Sequence, residues 1–147
     1  GALKNIYAIA AGVAEGLNLG ENAKSALISR SFAEMTRYAK KFKADKNTLF
    51  GLSGLGDLIL TCSSKNSRNT QFGIKLASSK YDNFLDLLKS QEVTEGYYTV
   101  KAVYNISQKK NIDMPIMESV YNILYKQHDL KEELSNLLSR PITEEKI

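Results

Sequence analysis

Lys4 is the first residue of the chain whose type and surroundings could do chemistry. Three small residues, Ala8, Ala11 and Gly12, follow it on one face of a predicted helix. A long cation above a small-residue surface can be enclosed by another element, and enclosure disfavours the charged form of a lysine. Lys4 is therefore a candidate general acid/base. The alternative is a solvated lysine that happens to neighbour alanines.

A second candidate site is the tripeptide Ser67, Arg68 and Asn69, which falls at a predicted helix N-terminus. Free backbone amides, a hydroxyl, a guanidinium and a carboxamide together suit an oxyanion or a phosphate group. The alternative is simple capping of the helix by Ser67, with Arg68 in solvent. The residues alone leave these two interpretations even.

The densest glycine cluster runs from Gly51 to Asp57. Its G-x-x-G-x-G spacing reverses the dinucleotide fingerprint, and no predicted strand precedes it. Asp57 and Leu58 also stand where a P-loop needs Lys and Ser or Thr, so both nucleotide motifs fail. A tight connection between helices, with Asp57 as an N-cap, is the first interpretation. The alternative is that the glycines let the backbone approach a ligand while Asp57 lies at its edge.

Composition excludes several other kinds of site. The 147 residues include one cysteine, Cys62, and one histidine, His128. A single cysteine cannot form an internal disulfide. One cysteine and one histidine also fall short of a four-ligand zinc site, so no metal is expected. A Ser/His/Asp triad would have to use His128, in a polar stretch near the chain end. No run approaches the ~18 apolar residues of a membrane span, and no leader is evident, so we expect a cytoplasmic protein without membrane insertion.

The net charge of +4 permits an anionic partner without requiring one. Lys40, Lys41, Lys43 and Lys46 form the densest basic run. Such a run is typical of a solvated helix end, where lysines are favoured by the helix dipole. The four arginines are dispersed rather than interleaved with aromatic residues, so no nucleic-acid partner is expected.

The elements that must position these residues are helices, because apolar residues recur at three- and four-residue steps almost throughout. Strand signals are weak, and we predict a single all-α domain over residues 1–147 with seven or eight helices. The predicted helix starts are Leu3 for the first helix, Asn22 and Asp45 as caps, Ser67 or Asn66 as a cap, Asp82, Thr94 as a cap, Pro115, and Asp129.

Several separated blocks of the sequence resemble one family. The blocks are Gly1-Ala2-Leu3-Lys4-Asn5, Glu34-Met35-Thr36-Arg37, Gly54-Leu55-Gly56-Asp57-Leu58, Leu60-Thr61-Cys62, Ser67-Arg68-Asn69, Val93-Thr94-Glu95-Gly96, Lys101-Ala102-Val103-Tyr104 and Met114-Pro115-Ile116. Together they resemble the C-terminal substrate domain of bacterial-type NAD(P)-dependent glycerol-3-phosphate dehydrogenase. The resemblance covers nearly the whole chain in order and spacing. It implies a fold of the 6-phosphogluconate dehydrogenase C-terminal-like type, normally preceded by a Rossmann domain that is absent here.

The resemblance also implies an activity and roles for particular residues. The family interconverts sn-glycerol 3-phosphate and dihydroxyacetone phosphate with NAD or NADP, which supplies glycerol 3-phosphate for phospholipid synthesis. Lys4 would be the acid/base, Asp57 would contact substrate and hold Lys4, and Asn5 would orient the reacting centre. The substrate phosphate would be bound by Ser67, Arg68 and Asn69. The cofactor would be contacted by Arg68, Val93 and Glu95.

The resemblance further implies a homodimer for the full-length enzyme, with the cofactor bound mainly by the missing N-terminal domain. We therefore expect the isolated fragment to be inactive. Two alternatives stay open. One is a free-standing helical binding module that recruits nucleic acid or an acidic protein through its basic surface. The other is the substrate domain of a related dehydrogenase, such as the 6-phosphogluconate and 3-hydroxyacid enzymes. This second alternative is disfavoured because the chain contains Ser67-Arg68-Asn69 together with the Gly-Leu-Gly-Asp segment.

Overall fold

The computed structural model describes residues 2–42, 52–64, 66–78 and 94–140, and within them all regular structure is helical. The all-α prediction is confirmed. The seven helices of these ranges are α1 Ala2–Gly16, α2 Glu21–Lys41, α3 Leu52–Ser63, α4 Arg68–Ser78, α5 Glu95–Lys110, α6 Pro115–Tyr125 and α7 Leu130–Leu138. The short helices predicted from Asp45 and from Asp82 lie outside the described residues.

Helix α1 is the centre of the fold. Residues 6–14 of this helix are buried on every side, and α1 packs against α2, α3, α4, α5 and α6. A helix that is apolar all round is typical of a buried core helix. The core around α1 includes Leu58 and Cys62 from α3, Phe72 from α4 and Val100 from α5. Residues at the start of α1 are thereby held by a rigid element.

Helices α1 and α4 cross at backbone contact. A Cβ atom added to Gly12 would lie 2.1 Å from the Thr70 carbonyl oxygen, and one added to Gly73 would lie 2.2 Å from the Ile9 carbonyl oxygen. The contact continues at Gly16, which faces Ala77. Because the sequence numbers of the paired residues rise together on both helices, α1 and α4 run parallel. Their N-termini therefore lie at the same end of the fold.

Local signals place several helix ends where we predicted them. Pro115 begins α6, and the Asp129 side chain accepts a hydrogen bond from the Glu132 amide at the start of α7. Ser67, rather than Asn66, caps α4 through its hydroxyl, which accepts from the Thr70 amide at 3.3 Å. None of the helices in the described ranges is both long and apolar enough to cross a membrane.

One cap prediction was wrong, and another was right in position only. Asn22 lies inside α2, because Gly20, with φ of +91°, takes the N-cap position in a conformation that L side chains rarely adopt. Thr94 does occupy the N-cap position of α5, but its side chain makes no capping hydrogen bond. At the other end of α2, Lys40 and Lys41 lie in the last turn, as predicted.

Candidate functional site

Lys4 and Asp57 form an ion pair between α1 and α3. The Lys4 Nζ atom donates to Asp57 Oδ2 at 2.7 Å. The two side chains are 31% and 51% exposed, so the pair is open to solvent and to a ligand. Hydrogen bonding to Lys4, together with its charge, holds the pKa of Asp57 below its ordinary value. The structure thus brings together the two residues that carry the expected acid/base chemistry.

The glycine cluster does not form the tight connection that we predicted with Asp57 as its N-cap. Helix α3 already begins at Leu52, so Gly54, Gly56 and Asp57 are helical residues. Leu58 and Cys62 are buried on the inner face of α3, and such packing can outweigh the low helix propensity of glycine. A Cβ atom at Gly56 would meet nothing within 4 Å, so no close backbone approach explains this glycine.

The small residues after Lys4 have another use than the one predicted. Ala8 and Ala11 are fully buried in the core, and Gly12 accommodates the backbone of α4. They do not form a surface on which the lysine could be enclosed. Lys4 is instead held at its Nζ atom by Asp57, at the outer end of α1.

Asn5 and Asn69 meet at Gly96. The Asn69 Oδ1 atom accepts a hydrogen bond from the Gly96 backbone N–H at 3.1 Å, in a buried contact. The Asn5 carbonyl oxygen would lie 3.2 Å from a Cβ atom at Gly96. Because these residues stand in the first turns of α1, α4 and α5, three helix N-termini converge here. The positive ends of their dipoles favour an anion at this end of the fold.

The remaining predicted site residues occupy the rim of this convergence. Ser67 is half-buried and caps α4. Arg68 is exposed, and among the described residues no hydrogen bond or ion pair holds its guanidinium. Glu95 is exposed in the first turn of α5. Val93 lies outside the described residues. The structure therefore leaves Arg68 and Glu95 available to a ligand without pairing either with Lys4.

Glu34, in α2, is a fully buried acidic residue for which the sequence predicted no role. Its carboxylate accepts from the backbone amides of Ile116 at 2.7 Å and Met117 at 3.1 Å, at the start of α6. The Tyr7 hydroxyl faces the carboxylate without reaching full hydrogen-bond geometry, and Arg37 lies nearby. Burial raises the pKa of Glu34 to about 8, against the opposing effect of these donors. A signal for its burial was available in the sequence, because Glu34 lies on the same helical face as Leu27 and Ser31.

Other polar side chains of the described ranges do not form a second catalytic cluster. His128 Nδ1 lies 2.7 Å from Glu133, while the carboxylate of Asp129 is occupied in capping α7. Burial raises the pKa of the Cys62 thiol to about 12, so this cysteine is not a reactive thiolate. In these ranges no group of three or more His, Cys, Asp and Glu residues could hold a metal ion.

The sequence matches a known family over most of its length. The model of the NAD-dependent glycerol-3-phosphate dehydrogenase C-terminus matches residues 1–135. The chain is 47% identical over 146 residues to the NAD(P)+ glycerol-3-phosphate dehydrogenase of Solidesulfovibrio magneticus, covering 99% of the chain and 44% of that protein. It is 45% identical over 141 residues to the enzyme of the same name from Staphylococcus carnosus, covering 95% and 42%.

Solved structures agree with these relatives. The crystal structure of glycerol-3-phosphate dehydrogenase from Coxiella burnetii superposes with a TM-score of 0.87 at 40% identity, covering 95% of this chain and 43% of that one. DsGPDH of Dunaliella salina, at 22% identity and a TM-score of 0.74, shares the fold over 95% of this chain and 26% of its own. The chain spans less than half the length of the curated relatives it matches. It belongs to the family of the NAD-dependent glycerol-3-phosphate dehydrogenase C-terminus.

Proposed function

We propose that this chain is the substrate-binding and catalytic part of an NAD(P)-dependent glycerol-3-phosphate dehydrogenase, which interconverts sn-glycerol 3-phosphate and dihydroxyacetone phosphate. The observation that carries the proposal is the Lys4–Asp57 pair, which stands beside three converging helix N-termini. An acid/base lysine beside an anion-binding end suits a small phosphorylated alcohol or ketone. The relatives carry this activity in their names.

Lys4 is the proposed acid/base. In ketone reduction its ammonium gives a proton to the carbon-2 oxygen while carbon 2 receives a hydride, and in alcohol oxidation its neutral amine takes that proton back. Asp57 holds the Nζ atom at 2.7 Å and so fixes the direction from which the proton comes. Asn5, in the first turn of α1 next to Lys4, orients the reacting centre.

The phosphate end of the substrate is assigned to the N-terminus of α4. Arg68 is exposed and has no partner among the described residues, so its guanidinium is available to a phosphate oxygen. Ser67 and Asn69 stand on either side of it in the same turn. A doubly charged phosphate would interact with the guanidinium, the amides and the helix dipoles together, which favours a phosphorylated substrate over free glycerol.

Within the described ranges, we assign contacts with a nicotinamide cofactor to the rim of the site. Arg68 and Glu95 are exposed beside the site and could contact the nucleotide, as could Val93, which lies outside the described residues. The described residues form no strand followed by a glycine-rich turn, the arrangement that holds a dinucleotide. When bound, NADH or NADPH would supply the hydride for ketone reduction, and NAD+ or NADP+ would accept it in alcohol oxidation. We assign most of the binding of this cofactor to the part of the relatives that this chain does not match.

We extend the proposal to three finer properties that follow from the family resemblance. The product glycerol 3-phosphate serves phospholipid synthesis, the full-length enzyme works in the cytoplasm, and it is a homodimer. Light scattering coupled to size-exclusion chromatography of the full-length enzyme tests whether it is a homodimer. A monomer at micromolar concentration would contradict the homodimer.

The test of the proposed function is a chimera. The part of the Staphylococcus carnosus relative that precedes its matched segment is joined to residue 1 of this chain, and oxidation of NADH or NADPH by dihydroxyacetone phosphate is followed. We expect turnover by the chimera and none by the chain alone. Turnover by the chain alone, or a folded chimera that is active only on another hydroxy compound, would contradict the proposal.

Lys4→Ala in the chimera tests the acid/base role. We expect kcat to fall by about 10²–10⁴-fold, with a modest change in KM. Lys24→Ala is the matched control, because Lys24 also forms an ion pair, with Glu15 at 2.9 Å, away from the site. Near-normal turnover in Lys4→Ala would remove the acid/base assignment.

A further inference from the structure

Gly96 makes a contact that the proposed reaction does not itself require. Its backbone N–H donates to Asn69 Oδ1 at 3.1 Å, and both residues are buried. The contact joins the first turn of α5 to the first turn of α4. It therefore links Asn69 to a helix that supplies no acid or base to the proposed reaction.

This hydrogen bond fixes which way the Asn69 carboxamide points. A backbone N–H can only donate, so the side-chain atom opposite it must be the oxygen. The Nδ2 amino group then points away from Gly96, and it finds no acceptor among the described residues. With two N–H donors free, Asn69 presents hydrogen-bond donors to a ligand rather than an acceptor.

The space around Gly96 admits no side chain. An added Cβ atom would lie 2.6 Å from Ile9 Cδ1, 2.7 Å from Asn69 Oδ1 and 3.2 Å from the Asn5 carbonyl oxygen. Ile9 Cδ1 is the end of a flexible side chain and can yield. The contact with Oδ1 cannot be relieved without moving the Asn69 carboxamide or the first turn of α5.

A second contact links the first turn of α5 to α6. The Tyr125 hydroxyl, from the end of α6, donates to the Tyr97 carbonyl oxygen at 2.5 Å. The rings of Tyr97 and Tyr125 are stacked with centroids 4.8 Å apart. The first turn of α5, which carries the Gly96 N–H, is thus anchored to α6 through Tyr97.

We propose that Gly96 is a positioning residue that acts through Asn69, holding the carboxamide so that Nδ2 donates to the phosphate of the substrate. The inference rests on the proposed function, since it takes the ligand to be a phosphate monoester. It adds a residue that never touches the substrate, and it assigns the direction of the Asn69 amide.

A double-mutant cycle in the chimera tests the proposal. We expect Gly96→Ala and Asn69→Ala each to raise KM for dihydroxyacetone phosphate by about tenfold or more, the effect of a hydrogen bond to a charged group, with a smaller change in KM for NADH. The double variant should be no worse than Asn69→Ala alone. If Gly96→Ala raises KM by the same factor in the Asn69→Ala background, the two residues act independently and the proposal is wrong.

A second pair of variants separates positioning from packing. Ile9→Val removes the Cδ1 atom that a Cβ at position 96 would strike first. In the Gly96→Ala background we expect Ile9→Val to restore the melting temperature without restoring KM, because the contact with Asn69 Oδ1 persists. Recovery of KM together with the melting temperature would overturn the proposal. Ile9→Val alone is the control.

The NMR spectrum of the chain provides a readout that does not depend on activity. The Asn69 Nδ2 proton signals, assigned by their loss in Asn69→Asp, should shift on titration with glycerol 3-phosphate or inorganic phosphate, and that shift should be lost in Gly96→Ala. A chimera without dehydrogenase activity whose chain retains this coupling rejects the proposed function alone. An active chimera with an unchanged titration in Gly96→Ala rejects the role of Gly96 alone.

Discussion

The Lys4 Nζ atom lies 2.7 Å from Asp57 Oδ2, although the two residues are 53 positions apart and stand on different helices. The buried α1 carries the lysine, and the middle of α3 carries the carboxylate on an exposed face. Neither side chain is buried, so the ion pair contributes little to folding. Its effect is on the position of the Lys4 Nζ atom and on the pKa of Asp57, which it lowers.

The first prediction concerns the Asp57 carboxyl. Because the hydrogen bond and charge of Lys4 lower its pKa, Lys4→Met should return that pKa toward the ordinary value of 3.8, whereas Lys24→Met should leave it unchanged. Titration of the Asp57 carboxyl carbon by NMR measures this. A lowered pKa in the folded state means that the pair stabilises above the ordinary range and loses this contribution as pH falls through the folded-state pKa. An unchanged pKa in Lys4→Met would contradict the pairing.

The second prediction compares two glycines that both lie within helices. Gly12→Ala forces a Cβ to within 2.1 Å of the Thr70 carbonyl oxygen and should lower the free energy of unfolding by about 1–3 kcal/mol or more. Gly56→Ala meets open space and should raise it by about 0.5–1 kcal/mol, the ordinary gain of alanine over glycine in a helix. Urea denaturation of both variants measures the difference. Equal effects would argue against the close crossing of α1 and α4.

The third prediction concerns Glu34. Its pKa is raised from 4.5 to about 8 by burial, so the folded state holds a proton that the unfolded state releases between these values. The stabilising contribution is complete below about pH 4.5 and is lost as pH rises toward 8. Glu34→Gln should lack this pH dependence, so the difference in unfolding free energy between the two proteins should change with pH over this range.

Glu34→Gln also has a cost of its own. The amide cannot accept with both side-chain atoms, so one of the Ile116 and Met117 N–H groups loses its acceptor. An unsatisfied buried donor costs about 1–3 kcal/mol. The variant should therefore be less stable near pH 5, with the gap narrowing toward pH 8. A gap that widens with rising pH would reverse the assigned direction of the pKa.

The fourth prediction concerns Arg30, a buried residue of α2. Its guanidinium donates to the Leu137 carbonyl oxygen at 2.8 Å and to the Arg140 carbonyl oxygen at 2.7 Å, closing the C-terminal end of α7. Arg30→Met should destabilise the chain by about 1.5–3 kcal/mol and speed amide exchange in α7. Arg68→Met, at an exposed arginine, is the control. Unchanged exchange in α7 would show that the end of this helix is held by packing alone.

The helices were predictable where a local signal decided their ends. Pro115 and Asp129 begin α6 and α7 because ring geometry and side-chain capping act within one turn. Helix α3 was not predictable in this way, because the packing of Leu58 and Cys62 overrides the glycines that favour a turn. The cap of α6 comes from Glu34, 82 positions away from Ile116, and no local pattern contains such a contact.

The site was predictable in its residues but only partly in its geometry. Lys4 and Ser67-Arg68-Asn69 stood out by type and spacing, whereas the pairing of Lys4 with Asp57 came from the family resemblance. The role predicted for Ala8, Ala11 and Gly12 was wrong. A face of small residues can accommodate a crossing helix as well as an enclosed lysine, and here these residues are buried in the core and against α4. The role of Gly96 depends on how three helices meet, which spacing along one chain does not encode.

The parallel arrangement of α1 and α4 has an electrostatic consequence. The partial charges at the ends of these helices belong to peptide groups, which do not titrate and do not leave with a side chain. Deprotonation of any neighbouring amine, or the loss of Arg68, would weaken the attraction of this end of the fold for an anion without abolishing it. The oriented backbone thus provides a field that stays constant with pH and does not depend on which side chains surround the site.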